Sequence, residues 1–402
     1  MTNRFDPSRL KPFYLPHPDI SQSLHLDAQR PQAHSPADII QFFEKFFSIE
    51  PQNPEDIALL VGTSGSTGTP KTTMLSRAAL LHSAQATAEA TGSQYSQWLL
   101  CLPVHYIAGA QVLVRSVLNG TSPIVTNSIR YNTRFSSEDF LNSARSMTAE
   151  KKMVSLVPTQ LQQLLDDVQR FPELLELLQG FCGILLGGAP ASIALREQAQ
   201  KYQLKIFTTY GSAETAGGCV YNGRPLSSTQ LRIETQHPED TVGRIWLGGK
   251  HIAHGYLDQP QRTAQHFWCD NNGTRWYRTD DIGSLSQGFL EVHGRADDII
   301  ISGGVKISPA PIAQCLESHP AVVSAFVFPV PHRRWGQAVG CVVYAPEESP
   351  ARLSPQLQQL CQNLEPAQRP KYLRVISTLP LLSTGKPDRE ALHTLLHEGS
   401  GQ

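Results

Sequence analysis

No uncharged apolar run in this chain is long enough to span a bilayer, and Met1 to Ile20 is too polar and too broken by proline to read as a secretory signal. Charge of one sign is not in excess either. The 34 Lys plus Arg against 35 Asp plus Glu leave a formal −1, which gives no electrostatic footprint for nucleic acid or for an anionic membrane surface. The seven cysteines are scattered and contain no Cys-x-x-Cys pair. A disulfide framework or zinc site is therefore not expected; reduced core thiols in a cytoplasmic protein are. Internal repeats and low-complexity tracts are absent as well. What is present is 402 residues, 40% of them hydrophobic, which suits two or three domains with real cores.

Short apolar runs at Ala58–Val61, Trp98–Leu102, Ser122–Val125, Met153–Val157, Gly183–Leu186 and Lys205–Thr209 read as strands. Helical patterns at 37–47, 74–90, 159–168 and 192–202, and one after Gly109, fall among them. This alternation predicts an α/β fold with a largely parallel sheet, whose ligands bind at the carboxyl ends of the strands. From about 231 to 293, glycine pairs and short strands predict a small antiparallel subdomain. Beyond Gly294-Arg295-Ala296-Asp297-Asp298 a compact α+β pattern follows: strand 299–301, helix 310–317, strands 322–328 and 339–344, helix 355–361 and strand 372–376. The expected domains are 1–294, which includes the β-rich part, and a small mobile lid, 295–402.

The chemistry starts at Thr63-Ser64-Gly65-Ser66-Thr67-Gly68-Thr69-Pro70-Lys71. Glycines let the backbone wrap a ligand, hydroxyls and N–H groups donate, and Lys71 adds charge, so the natural ligand is a polyphosphate. An apolar run before it and a helical pattern after it predict strand, loop and helix, with the helix N-terminus aimed at the anion. Walker A spacing is excluded, because Thr69 and Pro70 separate Gly68 from Lys71.

This nonamer resembles the nucleotide loop of the adenylate-forming acyl- and aryl-CoA synthetase family. Further stretches follow in that family's order: Gly187-Gly188-Ala189, Tyr210-Gly211-Ser212-Ala213-Glu214-Thr215, Trp276–Asp281, Gly294–Gly304 and Leu381–Lys386. The resemblance implies ATP, Mg2+ and coenzyme A as ligands, and a two-step reaction through an acyl-adenylate. It implies that Gly188, Ala189, Tyr210 and Gly211 lie beside the adenine and acyl group, and that Glu214 holds magnesium. Asp281 would accept from the ribose hydroxyls, Arg295 would reach ribose or phosphate, and Asp297 would be the hinge. Gly303 and Gly304 would border the CoA channel, and Lys386 would be the adenylation lysine, beside Glu214 and Thr63 in the catalytic set. Ala213 departs from the family's hydroxyl residue, with Ser212 or Thr215 as substitutes. That departure also admits a non-catalytic nucleotide-binding regulator; retention of Glu214, Asp281, Arg295 and Lys386 argues for catalysis.

Within the family, Leu102–Gly109, Val112–Ser116, Ser155–Leu161 and Gly217–Tyr221 are similar to the o-succinylbenzoate–CoA ligases of menaquinone biosynthesis, especially their actinobacterial form. Such a substrate has a spare carboxylate. Arg115 is an apt partner for it, since Arg pairs carboxylates bidentately, or else an ordinary surface or interdomain residue. His105, Tyr106, Gln160 and Gly188 complete the expected acyl pocket. Another aryl or acyl acid would change only that pocket. His251 and His254 read as loop residues, not a metal pair. Dimers are common in this family, so a homodimer is a further expectation.

Overall fold

Valine-, leucine- and isoleucine-rich runs buried on both faces form the centre of the molecule, as parallel strands require. The computed structural model describes residues 5–13, 19–27, 30, 33–49, 53, 55–63, 71–237, 239–382 and 385–398. It divides into a larger body, Met1–Gly188 with Tyr202–Thr279 and Leu285–Leu290, and a smaller one, Ala189–Lys201 with Asp280–Ser284 and Glu291–Gln402.

The larger body holds a seven-stranded sheet in the order Arg224–Pro225, Gly217–Tyr221, Ile206–Ser212, Gly183–Leu186, Lys152–Leu156, Gln97–Leu100, Ile124–Val125. From Ile206–Ser212 onward every pairing is parallel, as expected; Gly217–Tyr221 turns back antiparallel. A second sheet lays Leu24–Leu26 parallel to Ile57–Thr63, which pairs antiparallel with Lys71–Ser76. Helices Arg77–Thr91 and Ile107–Leu118 pack into the same core, with Leu59, Val61, Leu75, Leu80, Trp98 and Val112 buried together. The β-rich stretch forms a six-stranded sheet whose pairs 230–234/242–248 and 267–269/275–277 are antiparallel; Lys11–Pro12 joins its edge.

Two expectations about elements are corrected. The segment after Lys71 begins as strand Lys71–Ser76, not as a helix from Met74. Thr72 and Thr73 are β-branched and favour the pleated ladder with Val61 and Gly62, and the helix starts only where the Ser76 hydroxyl accepts from the Ala79 N–H. The phosphate loop thus joins two antiparallel strands, and no helix N-terminus follows it directly. In the smaller body the helix expected at 355–361 runs from Pro350 to Leu360. Ser349 caps it and Pro350 sits at its start, while Pro355 lies inside, leaving the Ala351 carbonyl without its usual donor.

The smaller body carries a sheet in the order Val305–Ile307, Ile300–Ser302, Gly336–Tyr344, Ser324–His332, with Tyr372–Ile376 parallel to Gly336–Tyr344. Alternation along its strands splits the apolar residues between two faces. Val327, Cys341 and Val343 pack with Ile312, Leu316, Leu353 and Leu357; Phe328, Val330 and Val342 pack with Leu392 and Leu396. All seven cysteines are unpaired, as expected, and no helix among the described residues is long and apolar enough to cross a membrane.

Candidate active site

Four parallel strands deliver the sequence-predicted residues from their carboxyl ends. Gln97–Leu100 leads to His105 and Tyr106, Lys152–Leu156 to Gln160, Gly183–Leu186 to Gly188 and Ala189, and Ile206–Ser212 to Glu214. Tyr210 and Gly211 end that last strand. A side chain at Gly211 would place its Cβ 2.2 Å from the Gly217 carbonyl oxygen, so only glycine lets the returning strand approach.

Glu214 sits in the single turn Ala213–Thr215 and is buried. Its Oε1 accepts from Lys71 Nζ at 2.5 Å and from Tyr256 Oη at 2.8 Å. Lys71 Nζ also reaches Tyr256 Oη at 3.2 Å and lies over the tyrosine ring, 4.9 Å from its centroid. Burial alone would raise the carboxyl pKa; the charge and hydrogen bond of Lys71 outweigh it and hold Glu214 down to about 2. The same burial, with the Glu214 charge beside it, pushes the Tyr256 phenol up, so it stays a donor. Lys71 pairs across the hairpin with Thr63, whose side chain, like Ser64, Gly65, Ser66, Thr67, Gly68, Thr69 and Pro70, lies outside the described residues.

The hydroxyls around Ala213 are not equivalent. Thr215 Oγ1 accepts from Ser212 N at 2.9 Å and faces the carbonyls of Gly217 at 2.7 Å and Ser212 at 3.1 Å, which commits it to the turn. Ser212 Oγ is buried near the Glu214 carboxylate without an aligned partner. Of the two substitutes for the family's hydroxyl, Thr215 is tied to backbone groups and Ser212 is not.

On the acyl side, the His105 and Tyr106 rings lie 4.4 Å apart at 49°, and Tyr106 precedes helix Ile107–Leu118 as its cap residue. Desolvation lowers the His105 pKa. The Gln160 amide is engaged with backbone, donating to Cys101 O at 3.1 Å and accepting from Val157 N at 3.0 Å. It ties two strand-end loops together. Arg115 is only 6% exposed, so it is not a surface residue. It donates to Thr87 Oγ1 at 3.2 Å and lies 5.2 Å from the Trp98 ring, while its Nε has no partner. Among the described residues no carboxylate lies in ion-pair range of it.

The smaller body gathers Asp281, Arg295 and Asp297. Arg295 Nη2 approaches Asp280 Oδ2 at 3.4 Å and Asp297 Oδ2 at 3.3 Å. Desolvation works against its charge, but the Asp281 and Asp280 carboxylates outweigh it and raise its pKa. Gly303 and Gly304 form the turn between two short strands, with φ of 57° and 86°, a pair of values that two adjacent glycines reach without strain. Lys386 follows the Gly385 turn, its carbonyl accepting from Leu382 N at 2.8 Å. The residue is exposed as a whole, yet desolvation lowers the pKa of its ammonium.

Sequence reasoning missed Tyr256. Its contact with Glu214 spans 42 positions, and no local spacing marks it. His251 and His254 do lie in an irregular loop, as expected, but are buried, and His254 Nε2 meets Glu55 Oε2 at 3.0 Å.

The fold agrees with the comparisons. The AMP-binding enzyme family matches residues 13–257, and the AMP-binding enzyme C-terminal domain matches residues 312–386. The chain belongs to this family, and it is an enzyme of the AMP-forming acid–CoA ligase class. It is 36% identical over 347 residues to the probable 2-succinylbenzoate–CoA ligase of Mycobacterium tuberculosis, covering 85% of each chain. Among solved structures it is similar to the Bacillus subtilis o-succinylbenzoate CoA synthetase in complex with its acyl-adenylate intermediate, with TM-score 0.70, 30% identity, and coverage of 85% of this chain and 69% of that one. The same synthetase in complex with ATP and magnesium ion gives TM-score 0.69 at 30% identity, covering 86% and 72%.

Proposed function

We propose that this enzyme is a 2-succinylbenzoate–CoA ligase that serves menaquinone biosynthesis. The acid's carboxylate attacks the α-phosphorus of ATP, the bond to pyrophosphate breaks, and an acyl-adenylate forms. The thiol of coenzyme A then attacks the acyl carbon and AMP leaves. Adenylation comes first because a carboxylate is a poor electrophile and AMP a good leaving group. The observation that carries the reading is the buried, ionised Glu214 met by Lys71, the residue that closes the phosphate loop.

Magnesium, when bound, neutralises triphosphate oxygens. No group of three or more His, Cys, Asp or Glu suited to a metal occurs among the described residues. One carboxylate completed by phosphates and water is the usual manner of holding Mg2+, and Glu214 fits that part. Thr63 to Lys71 would wrap the phosphates, Tyr210 would stack on adenine beside Gly188 and Ala189, and Ser212 would supply the hydroxyl that Ala213 lacks. Asp281 and Arg295 would hold the ribose. Lys386 would clamp the reacting carboxylate and α-phosphate, as preorganised charge does in acyl activation. Rotation at Asp297 would then bring Gly303 and Gly304 to the thiol channel.

His105 and Tyr106 would border the reacting carboxylate, with Gln160 fixing that wall. Arg115, in the last turn of helix Ile107–Leu118 beside Thr87 and Trp98, is the residue proposed for the spare carboxylate of a diacid. A homodimer and a cytoplasmic location belong to the same proposal. The test offers purified protein Mg-ATP and CoA with 2-succinylbenzoate, benzoate, 4-hydroxybenzoate or octanoate, reading thioester by mass spectrometry and AMP by chromatography. Selective 2-succinylbenzoyl-CoA formation is the expected result. AMP with another acid alone, or with none of the four, would discard the substrate.

A further inference from the structure

Tyr256 belongs to a segment that backbone hydrogen bonds fasten to the strand carrying Lys71. Met74 N donates to Gly255 O at 3.0 Å, His254 N to Met74 O at 2.9 Å, and Leu257 N to Thr72 O at 2.8 Å. The same segment holds the main chain of Glu214, whose carbonyl accepts from Ala253 N at 2.9 Å. Tyr256 itself is 2% exposed. Its N–H donates to Thr263 Oγ1 at 2.9 Å, and its ring meets Phe267 edge-on, centroids 5.3 Å apart. Gly255 is required for this, since a Cβ there would lie 2.3 Å from Thr263 Cγ2. Packing and backbone therefore hold the hydroxyl where it donates to Glu214 Oε1 and accepts from Lys71 Nζ.

Both donors to that oxygen, Lys71 and Tyr256, differ in what they can do. Lys71 ends the phosphate loop on a flexible stem with a strongly hydrated charge, and the phosphates of a bound nucleotide compete for it. The Tyr256 phenol is buried and carries no charge for the phosphates to draw away, and its ring is held in place by its own backbone and by Phe267. We propose that Tyr256 is a positioning residue that keeps the Glu214 carboxylate aimed at the metal when Lys71 turns to the nucleotide phosphates. This rests on the reading of Glu214 as the magnesium-holding residue.

The test compares wild-type, Tyr256→Phe and Glu214→Gln full-length proteins. Binding of Mn2+ in the presence of a non-hydrolysable ATP analogue is followed by electron paramagnetic resonance, so that no turnover is needed. Mg2+ dependence of adenylation and thermal midpoints are measured beside it. Losing one hydrogen bond to a buried charge should weaken Mn2+ binding by Tyr256→Phe about tenfold and raise half-saturating Mg2+ to match. Affinity for the metal-free analogue should stay unchanged. Wild-type metal constants in Tyr256→Phe, with or without a lower thermal midpoint, would overturn the proposal and leave a purely structural tyrosine. If Glu214→Gln also keeps wild-type metal binding, the failure lies in the Glu214 reading itself; if Glu214→Gln loses it while Tyr256→Phe does not, only the tyrosine's role falls.

Discussion

Glu214 keeps its charge in the interior because Lys71 meets the oxygen that Tyr256 also donates to. That fixes the sign of a pH effect. Its folded pKa is about 2 against an ordinary 4.5, so between those values the unfolded chain takes up a proton and the native one does not. The stabilisation, about 3 kcal/mol at most, is complete above pH 4.5 and lost as pH falls toward 2. Glu55, held to about 2 by His254 and Arg275, works in the same direction. Urea unfolding at a series of pH values should show a shallower acid slope for Glu214→Gln than for wild type; parallel slopes would mean that the pair does not hold the carboxyl down. Lys386 makes a separate prediction. Lys386→Ala should cut pyrophosphate exchange by roughly 10²–10³-fold, the scale of losing one transition-state donor, while ATP binding by calorimetry persists. An unchanged exchange rate would remove Lys386 from the adenylation step.

At the scale of elements, helix Pro36–Ser48 is fastened by a residue of the next helix. Arg77 donates to Phe46 O at 2.6 Å, Ile49 O at 2.8 Å and Phe47 O at 3.0 Å, the carbonyls that a helix C-terminus leaves open. Arg77→Ala should cost roughly 2–3 kcal/mol, the worth of one or two charged hydrogen bonds net of solvent. Arg77→Lys, which cannot fork, should recover only part of it. Equal urea midpoints for all three proteins would show that solvent satisfies those carbonyls as well. The helical pattern at 37–47 was legible in the sequence, though not its Ser35–Asp38 capping box, and so were the parallel strands, as short apolar runs. Strand Lys71–Ser76 was not. Thr-Thr-Met-Leu-Ser runs without a break into the alanine-rich helix behind it, and only pairing with Ile57–Thr63 decides the matter. The site divides along the same line. Contiguous groups such as Tyr210–Thr215 could be read along the chain, whereas the meeting of Lys71 with Glu214 across 143 positions, and of both with Tyr256, is made by tertiary structure alone.

For the whole molecule, the groups assigned to one reaction are carried on two bodies. Lys71, Glu214 and Tyr256 belong to the larger, and Asp281, Arg295 and Lys386 to the smaller. Each body has its own apolar core, and the smaller one's is split between the two faces of its sheet. Cores that are separate give separate cooperative units when the surface joining them is not itself a core. Scanning calorimetry should therefore resolve two transitions. Leu357 is fully buried in the smaller body, on helix Pro350–Leu360, and Leu357→Ala should remove roughly 2–4 kcal/mol from that body. One transition should move down by several degrees while the other stays, and pyrophosphate exchange should fail at the temperature of the lower one, because Lys386, proposed to clamp the α-phosphate, is on the body that melts. A single peak that moves as a whole would mean that the two cores unfold as one cooperative unit.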